Sequence, residues 1–223
     1  MKNKLSMALC LQLIILSASA QNNNLPVKEW HVAVQTPFVL YISGDGGFNN
    51  FSTDLCRTIN RAGYSISAIN AKSYFWDKKT PEQTATDIST YLQRIFQGRT
   101  NQQLILAGYS FGADVMPFIV NRLPDSLRKK LVAVFLLAPS TSTDFEIHWS
   151  DIFGGNNKRN MDVVAEINKM DTPKIVSLFG SDETSFPVKK ITVKNYSNEY
   201  LPGGHHFDGD TEEVGRTMMK YFK

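Results

Sequence analysis

Apolar and polar positions along this chain follow two rhythms that alternate from one segment to the next. The runs Phe38 to Ile42, Gln103 to Ala107 and Leu131 to Leu137 are short and nearly all apolar, as strands buried on both faces are. Tyr64 to Ile69, Lys174 to Phe179 and Lys190 to Tyr196 read as further strands, and Trp30 to Val34 alternates as an edge strand would. Between them the period lengthens. Thr80-Pro81-Glu82-Gln83 carries a capping residue, a first-turn proline and a capping-box glutamine. Ile88, Tyr91, Leu92, Ile95 and Phe96 then share one helical face up to Gly98. Helices are also predicted over Asn50 to Ala62, closed by Gly63, over the apolar stretch Ala113 to Val120, and over Thr211 to Phe222 with Asp210 as cap. Strands alternating with helices predict an α/β fold, a mostly parallel sheet with helices on both faces. Residues 140–162, rich in Ser, Thr, Asn and Gly, predict a loop or small cap.

The first residues follow a different pattern. Lys2 and Lys4 precede an apolar run from Leu5 to Leu16, too short to span a bilayer, and Ala18-Ser19-Ala20 offers a small-residue cleavage site. Residues 1–20 therefore read as a signal peptide cleaved after Ala20, and residues 21–223 as a single exported domain. Cleavage removes two lysines and no acid, so most of the net charge of +3 goes with the leader. No basic stripe points to nucleic acid. Cys10 leaves with the leader, which makes Cys56 the one cysteine of the mature chain and excludes an internal disulfide. Cysteine and histidine show no metal-ligand spacing, and no cofactor motif is present.

Chemistry concentrates in Gly108-Tyr109-Ser110-Phe111-Gly112, between a predicted strand and a predicted buried helix. Small residues on both sides of a serine allow a sharp turn that exposes its hydroxyl, the nucleophile-elbow arrangement of α/β-hydrolases. A serine hydroxyl needs a base, and the base needs an orienting carboxylate. The base is expected in Leu201-Pro-Gly-Gly-His205-His206-Phe-Asp-Gly-Asp210, where His205, directly after the glycine pair, is preferred to His206. The acid is expected after the penultimate strand, in Gly180-Ser-Asp182-Glu183, with Asp182 preferred to Glu183. Backbone N–H groups of Phe111 and of Asp45, in the turn Ser43 to Gly47, are the expected oxyanion donors. The chemistry is cleavage of an ester-like bond.

Several stretches resemble the VirJ/AcvB family of exported, virulence-associated bacterial proteins. They are Ile42-Ser-Gly-Asp-Gly-Gly-Phe48, Tyr74 to Thr84, Gly108 to Phe118, Asn121-Arg-Leu-Pro124, Asp144-Phe-Glu-Ile-His148 and Leu201 to Asp210. The resemblance implies an α/β-hydrolase-like fold working in the periplasm on lysyl-phosphatidylglycerol, with Ser110 as nucleophile and the base in the His205-His206 pair. For such an aminoacylated phospholipid, Asp45 or Asp114 could read the substrate ammonium, and Tyr74, Phe75 and Trp76 could meet acyl chain, headgroup or membrane surface. An esterase for a soluble substrate and a non-catalytic secretion-accessory or binding protein are the alternatives on the same fold.

Overall fold

A computed structural model describes residues 25–33, 36–99, 101–148 and 159–223. The leader expected at 1–20 and the middle of the polar stretch at 140–162 lie outside the described residues. Seven strands form one sheet: β1 (Val27–Trp30), β2 (Phe38–Ile42), β3 (Ile66–Ile69), β4 (Leu104–Tyr109), β5 (Leu131–Leu137), β8 (Ile175–Gly180) and β9 (Tyr196–Leu201). Their order is β1-β3-β2-β4-β5-β8-β9. Every pairing is parallel except that of β1, which runs antiparallel along β3 with Val27 opposite Ile69. A two-stranded ribbon, β6 (Ser142–Thr143) and β7 (Met161–Asp162), stands apart from the sheet and closes the base of the polar stretch.

Each face of the sheet has its own core. On one, Leu40, Ile42, Leu104, Leu106 and Leu136 pack against α3 (Pro81–Ile95), α4 (Phe111–Val120) and α6 (Val163–Ile167). On the other, Val39, Tyr41, Ile105, Ala107 and Phe135 meet α1 (Asn50–Arg61) and α7 (Thr211–Met219). The central strands supply both cores because successive side chains point to opposite faces, which is why β2 and β4 carry no polar alternation. Two short helices, α2 (Ala71–Tyr74) and α5 (Asp125–Arg128), complete the connections.

Local signals operate as expected in the helices. Thr80 caps α3 in a reciprocal box with Gln83, Asn49 caps α1, Asp210 caps α7, and Gly63 and Gly98 take up left-handed φ of 94° and 76° just past their helices. Two strands differ from expectation. The first is Val27–Trp30, ending where the expected strand Trp30 to Val34 begins (Val34 itself lies outside the described residues), because edge pairing with β3 is fixed by backbone register, which side-chain alternation does not report. The last is Tyr196–Leu201, not Lys190 to Tyr196. Ile191 and Val193 are apolar because they lie partly buried against the first core, whereas the true strand is a half-exposed edge with the polar sequence Tyr-Ser-Asn-Glu-Tyr-Leu.

Candidate active site

Four loops at the carboxyl ends of the parallel strands converge on Ser110. The first is the elbow. Ser110 joins β4 to α4 with φ 51° and ψ −120°, a conformation costing a non-glycine residue roughly 1–3 kcal/mol. Its amide is held by the carbonyl of Leu137 at 2.8 Å, and its own carbonyl accepts the first turn of α4 from Ala113 and Asp114. The flanking glycines are sterically required. A Cβ on Gly108 would sit 2.2 Å from the carbonyl oxygen of Gly112, and one on Gly112 would sit 2.2 Å from that of Ile42. The elbow is thus wedged against the end of β2.

The loop after β9 brings a histidine to Ser110. His205 Nε2 lies 2.8 Å from Ser110 Oγ, and His205 Nδ1 lies 2.7 Å from Glu183 Oε1. Ser110, His205 and Glu183 are therefore hydrogen-bonded in series. His205 holds the position expected of it, while His206 turns away and bonds the hydroxyl of Tyr109, which also reaches the carbonyl of His205 at 3.2 Å. Tyr109 thus ties the histidine loop to the end of β4.

The turn after β8 departs from the expectation that Asp182 would meet the histidine. Glu183, not Asp182, meets the imidazole. The amide of Glu183 donates to the carbonyl of Gly180 at 2.9 Å, closing a tight turn that aims residue 183 inward and residue 182 outward. Asp182 is exposed and accepts from Ser181 Oγ at 3.2 Å. The turn also needs a glycine at 180, where a Cβ would lie 2.2 Å from the carbonyl of Gly204 in the histidine loop.

Electrostatics follow from this geometry. The hydrogen bond that His205 Nδ1–H donates to Glu183 raises His205 above the ordinary histidine value. Burial opposes that shift, the negative charges of Glu183 and Asp45 reinforce it, and Asp114 adds to it when ionised. Burial pushes Glu183 upward, but the His205 hydrogen bond and charge outweigh it, leaving the carboxyl below its usual range. The two shifts agree in describing an imidazole poised to accept and hold a proton.

The loop after β2 presses on the elbow, since a Cβ on Gly44 would lie 3.3 Å from Ser110 Cβ. Its own bonds consume the amides of Gly46 and Gly47, and among the described residues no acceptor takes the amide of Asp45. The amide of Phe111, at the first position of α4, has no partner within its helix. Both expected oxyanion donors thus lie on the two segments that meet at Ser110.

The expected substrate contacts fare unequally. Asp114 is buried in the first turn of α4, with Oδ1 accepting from Ser140 N at 2.6 Å and Oδ2 bonded to Ser140 Oγ at 2.7 Å, so it is not open to a substrate ammonium. Asp45 is part-exposed. Tyr74 is buried, its hydroxyl donating to Asp87 at 2.6 Å, and belongs to the core rather than to a substrate surface. Phe75 is fully buried, edge-on to Phe111 and Phe145. Trp76 is 45% exposed. Sequence reasoning missed Ser140, whose loop carries no motif, and Tyr109, whose place inside the elbow motif was its only signal. Among the described residues no cluster of His, Cys, Asp and Glu could hold a metal, and no helix is long and apolar enough to cross a membrane. A separate cleft of about 310 Å³, lined by Gln102, Ser126 and Lys129 among others, lies at the amino ends of β4 and β5, remote from Ser110.

Comparison with known proteins agrees with this architecture. A family described as "Bacterial virulence protein (VirJ)" matches residues 36–223. No curated protein sequence matches at a significant level. Among solved structures, MenH from S. aureus is similar with a TM-score of 0.62 at 14% identity, over 87% of this chain and 97% of that one. Est1E from Butyrivibrio proteoclasticus is similar with a TM-score of 0.59 at 16% identity, over 87% and 92%. The naproxen esterase of Bacillus subtilis gives 0.57 at 15% identity, over 88% and 87%. At these identities the likeness establishes the fold alone, that of the α/β-hydrolases.

Proposed function

The chain belongs to the VirJ family of bacterial virulence proteins, and on that footing we propose that it is a periplasmic serine hydrolase cleaving the aminoacyl ester of lysyl-phosphatidylglycerol-type lipids. The observation that carries the reading is the hydrogen-bonded series Ser110 Oγ, His205, Glu183, on a strained elbow at the carboxyl end of a parallel sheet. The name of one similar structure, the naproxen esterase of Bacillus subtilis, supports the same reaction class.

In this reading His205 Nε2 takes the Ser110 proton as Oγ attacks the ester carbonyl. The imidazolium that forms is held by Glu183 at Nδ1. The oxyanion forms between the N–H groups of Phe111 and Asp45, aided by the positive end of α4. Collapse breaks the bond to the lipid glycerol oxygen, which leaves with the proton from His205, and an aminoacyl ester remains on Ser110. Water, activated by His205, attacks that ester and releases the amino acid with Ser110 restored. Two carboxylates, Glu183 and the part-exposed Asp45, act on His205, and that negative surround favours a cationic acyl group over an anionic one. Asp45, the part-exposed member, is the candidate partner for the ammonium. Exposed Trp76, followed by Lys78 and Lys79, is the candidate contact with an anionic lipid surface.

The test is lysine release from lysyl-phosphatidylglycerol vesicles by the mature protein and its Ser110→Ala variant, beside labelling by a fluorophosphonate probe. We expect release and labelling from the wild type, and a fall in release of at least about 10⁴-fold in the variant. Labelling without lysine release would sink the lipid assignment and leave an esterase for another, soluble substrate. Neither signal from a folded protein would favour a binding role.

A further inference from the structure

The carboxyl group of Asp114 has more hydrogen-bonding consequence than an N-terminal helix charge requires. It sits four residues beyond the nucleophile on α4 and faces the loop that follows β5, where Ala138 takes a left-handed φ of 49°. Ser140 meets it twice, with N–H donating to Oδ1 at 2.6 Å and Oγ at 2.7 Å from Oδ2. Ser140 Oγ is also 3.0 Å from the carbonyl oxygen of Ser142 in β6, and the Ser142 hydroxyl in turn accepts the amide of Arg159 at 2.9 Å. A serine hydroxyl carries one hydrogen. If Asp114 is ionised, that hydrogen must choose between two acceptors, Asp114 Oδ2 and Ser142 O. If Asp114 carries a proton, all contacts are served at once: carboxyl O–H to Ser140 Oγ, Ser140 O–H to Ser142 O, and Ser140 N–H to the carboxyl's other oxygen.

We infer that Asp114 is a positioning residue that works as a neutral carboxylic acid, pinning the loop after β5 and the β6–β7 ribbon to the first turn of α4 beside Ser110, and releasing that hold when it ionises.

The surroundings agree. The ionisable groups facing Asp114 are Asp45, from the loop after β2, and His205, from the loop after β9, while the loop after β5 and β6 contribute the uncharged Ser140 and Ser142. Burial raises the carboxyl to about 7, with the Ser140 donors and His205 opposing and Asp45 reinforcing. The consequence for folding has a definite sign. A carboxyl whose folded value is raised binds more protons folded than unfolded between the two values. It therefore stabilises fully below the unfolded value of about 4 and loses that contribution as pH rises through about 7. The consequence for turnover rests on the hydrolase reading: an ionised Asp114 would hold the proton on His205 to higher pH and keep the base occupied.

Asp114→Asn tests this, because the amide reproduces the donor and acceptor of the neutral acid and cannot ionise. We expect the variant to fold, to keep fluorophosphonate labelling, and to gain Tm relative to the wild type as pH is raised from 5 to 8.5. The acid limb of its hydrolysis profile should move to lower pH. A Tm difference that stays flat across that range would overturn the proposal, since an Asp ionised throughout finishes titrating at more acidic pH. Failure of Asp114→Asn to fold would overturn it too. In wild-type protein carrying carbon-13 at the Asp carboxyls, one side-chain resonance should titrate near neutrality and be missing from the variant; its absence in the wild type would end the idea. The Tm series and the resonance involve no turnover, so they stand if the lipid substrate is wrong, whereas a wild type that fails to label at Ser110 would count against the hydrolase reading alone.

Discussion

Glu183 and Asp182 differ by one methylene and by the direction the chain gives them. The turn bond from Glu183 N to Gly180 O fixes that direction, so the two carboxyls are not interchangeable. Glu183→Ala should lower kcat by about 10³–10⁴-fold with little change in KM, as expected when the group orienting a catalytic imidazole is removed. Asp182→Ala should stay within about twofold, since exposed substitutions away from a site rarely matter. Steady-state kinetics on a chromogenic ester would read both. The same residue sets the acid limb of activity. His205 must be neutral to take the Ser110 proton, and Glu183 raises it, so activity should fall as pH drops through a point above the usual histidine value of about 6.5. Glu183→Gln should carry that limb to lower pH. That Ser110 and His205 would meet could be read from the sequence, because each belongs to a motif with a fixed place in the fold. The acid could be narrowed to two neighbours and no further, because only the closed turn after β8 distinguishes inward from outward.

At the scale of elements, what holds the site is how closely backbones approach one another. Gly112 lets the start of α4 touch the end of β2, and Gly180 lets the β8 turn touch the histidine loop. In both places the neighbour is a carbonyl oxygen, which cannot rotate away as a side chain can. Gly112→Ala should cost more than about 3 kcal/mol or prevent folding. Gly46→Ala is the matched control, because its nearest neighbour would be Asn49 Nδ2 at an ordinary 3.6 Å, and it should lie within about 0.5 kcal/mol of the wild type. Urea midpoints at constant m would separate them. Elements with strong local signals, α3 with its capping box and β2, β4 and β5 with their apolar runs, were legible in the sequence. The two edge strands were not. Edge strands are defined by what pairs with them, and β9 is as polar as a loop.

Across the whole molecule, the site has no single structural owner. Asp45, Ser110, Glu183 and His205 come from the ends of β2, β4, β8 and β9, which are adjacent only once the sheet order β2-β4-β5-β8-β9 is complete. No fragment should keep it. Fluorophosphonate labelling of Ser110 should therefore disappear along the urea curve with the same midpoint as the far-ultraviolet circular dichroism signal. Labelling lost well before the backbone signal would instead mean that the histidine loop opens on its own. That four loops would meet was predictable from the alternation of strands and helices, since parallel sheets gather their loops at one end. Which strands would be neighbours was not, because strand order depends on crossovers that leave no local trace in sequence.

The antiparallel β1 bears on how this protein can be handled. With Val27 opposite Ile69, and Pro26 accepting from Asn70 just past the end of β3, the chain enters the fold at the rim that carries Ser110. Its other end finishes at the opposite pole, where Phe222 packs on Tyr64 and Tyr221 lies under Lys174, both residues just ahead of strands. An affinity handle or fluorescent fusion placed before Leu25 would be carried at the rim that holds Ser110, where under the proposed lipid reading it would compete with the vesicle. The same addition after Lys223 would trail from the far side, and it is the arrangement to use for every vesicle assay.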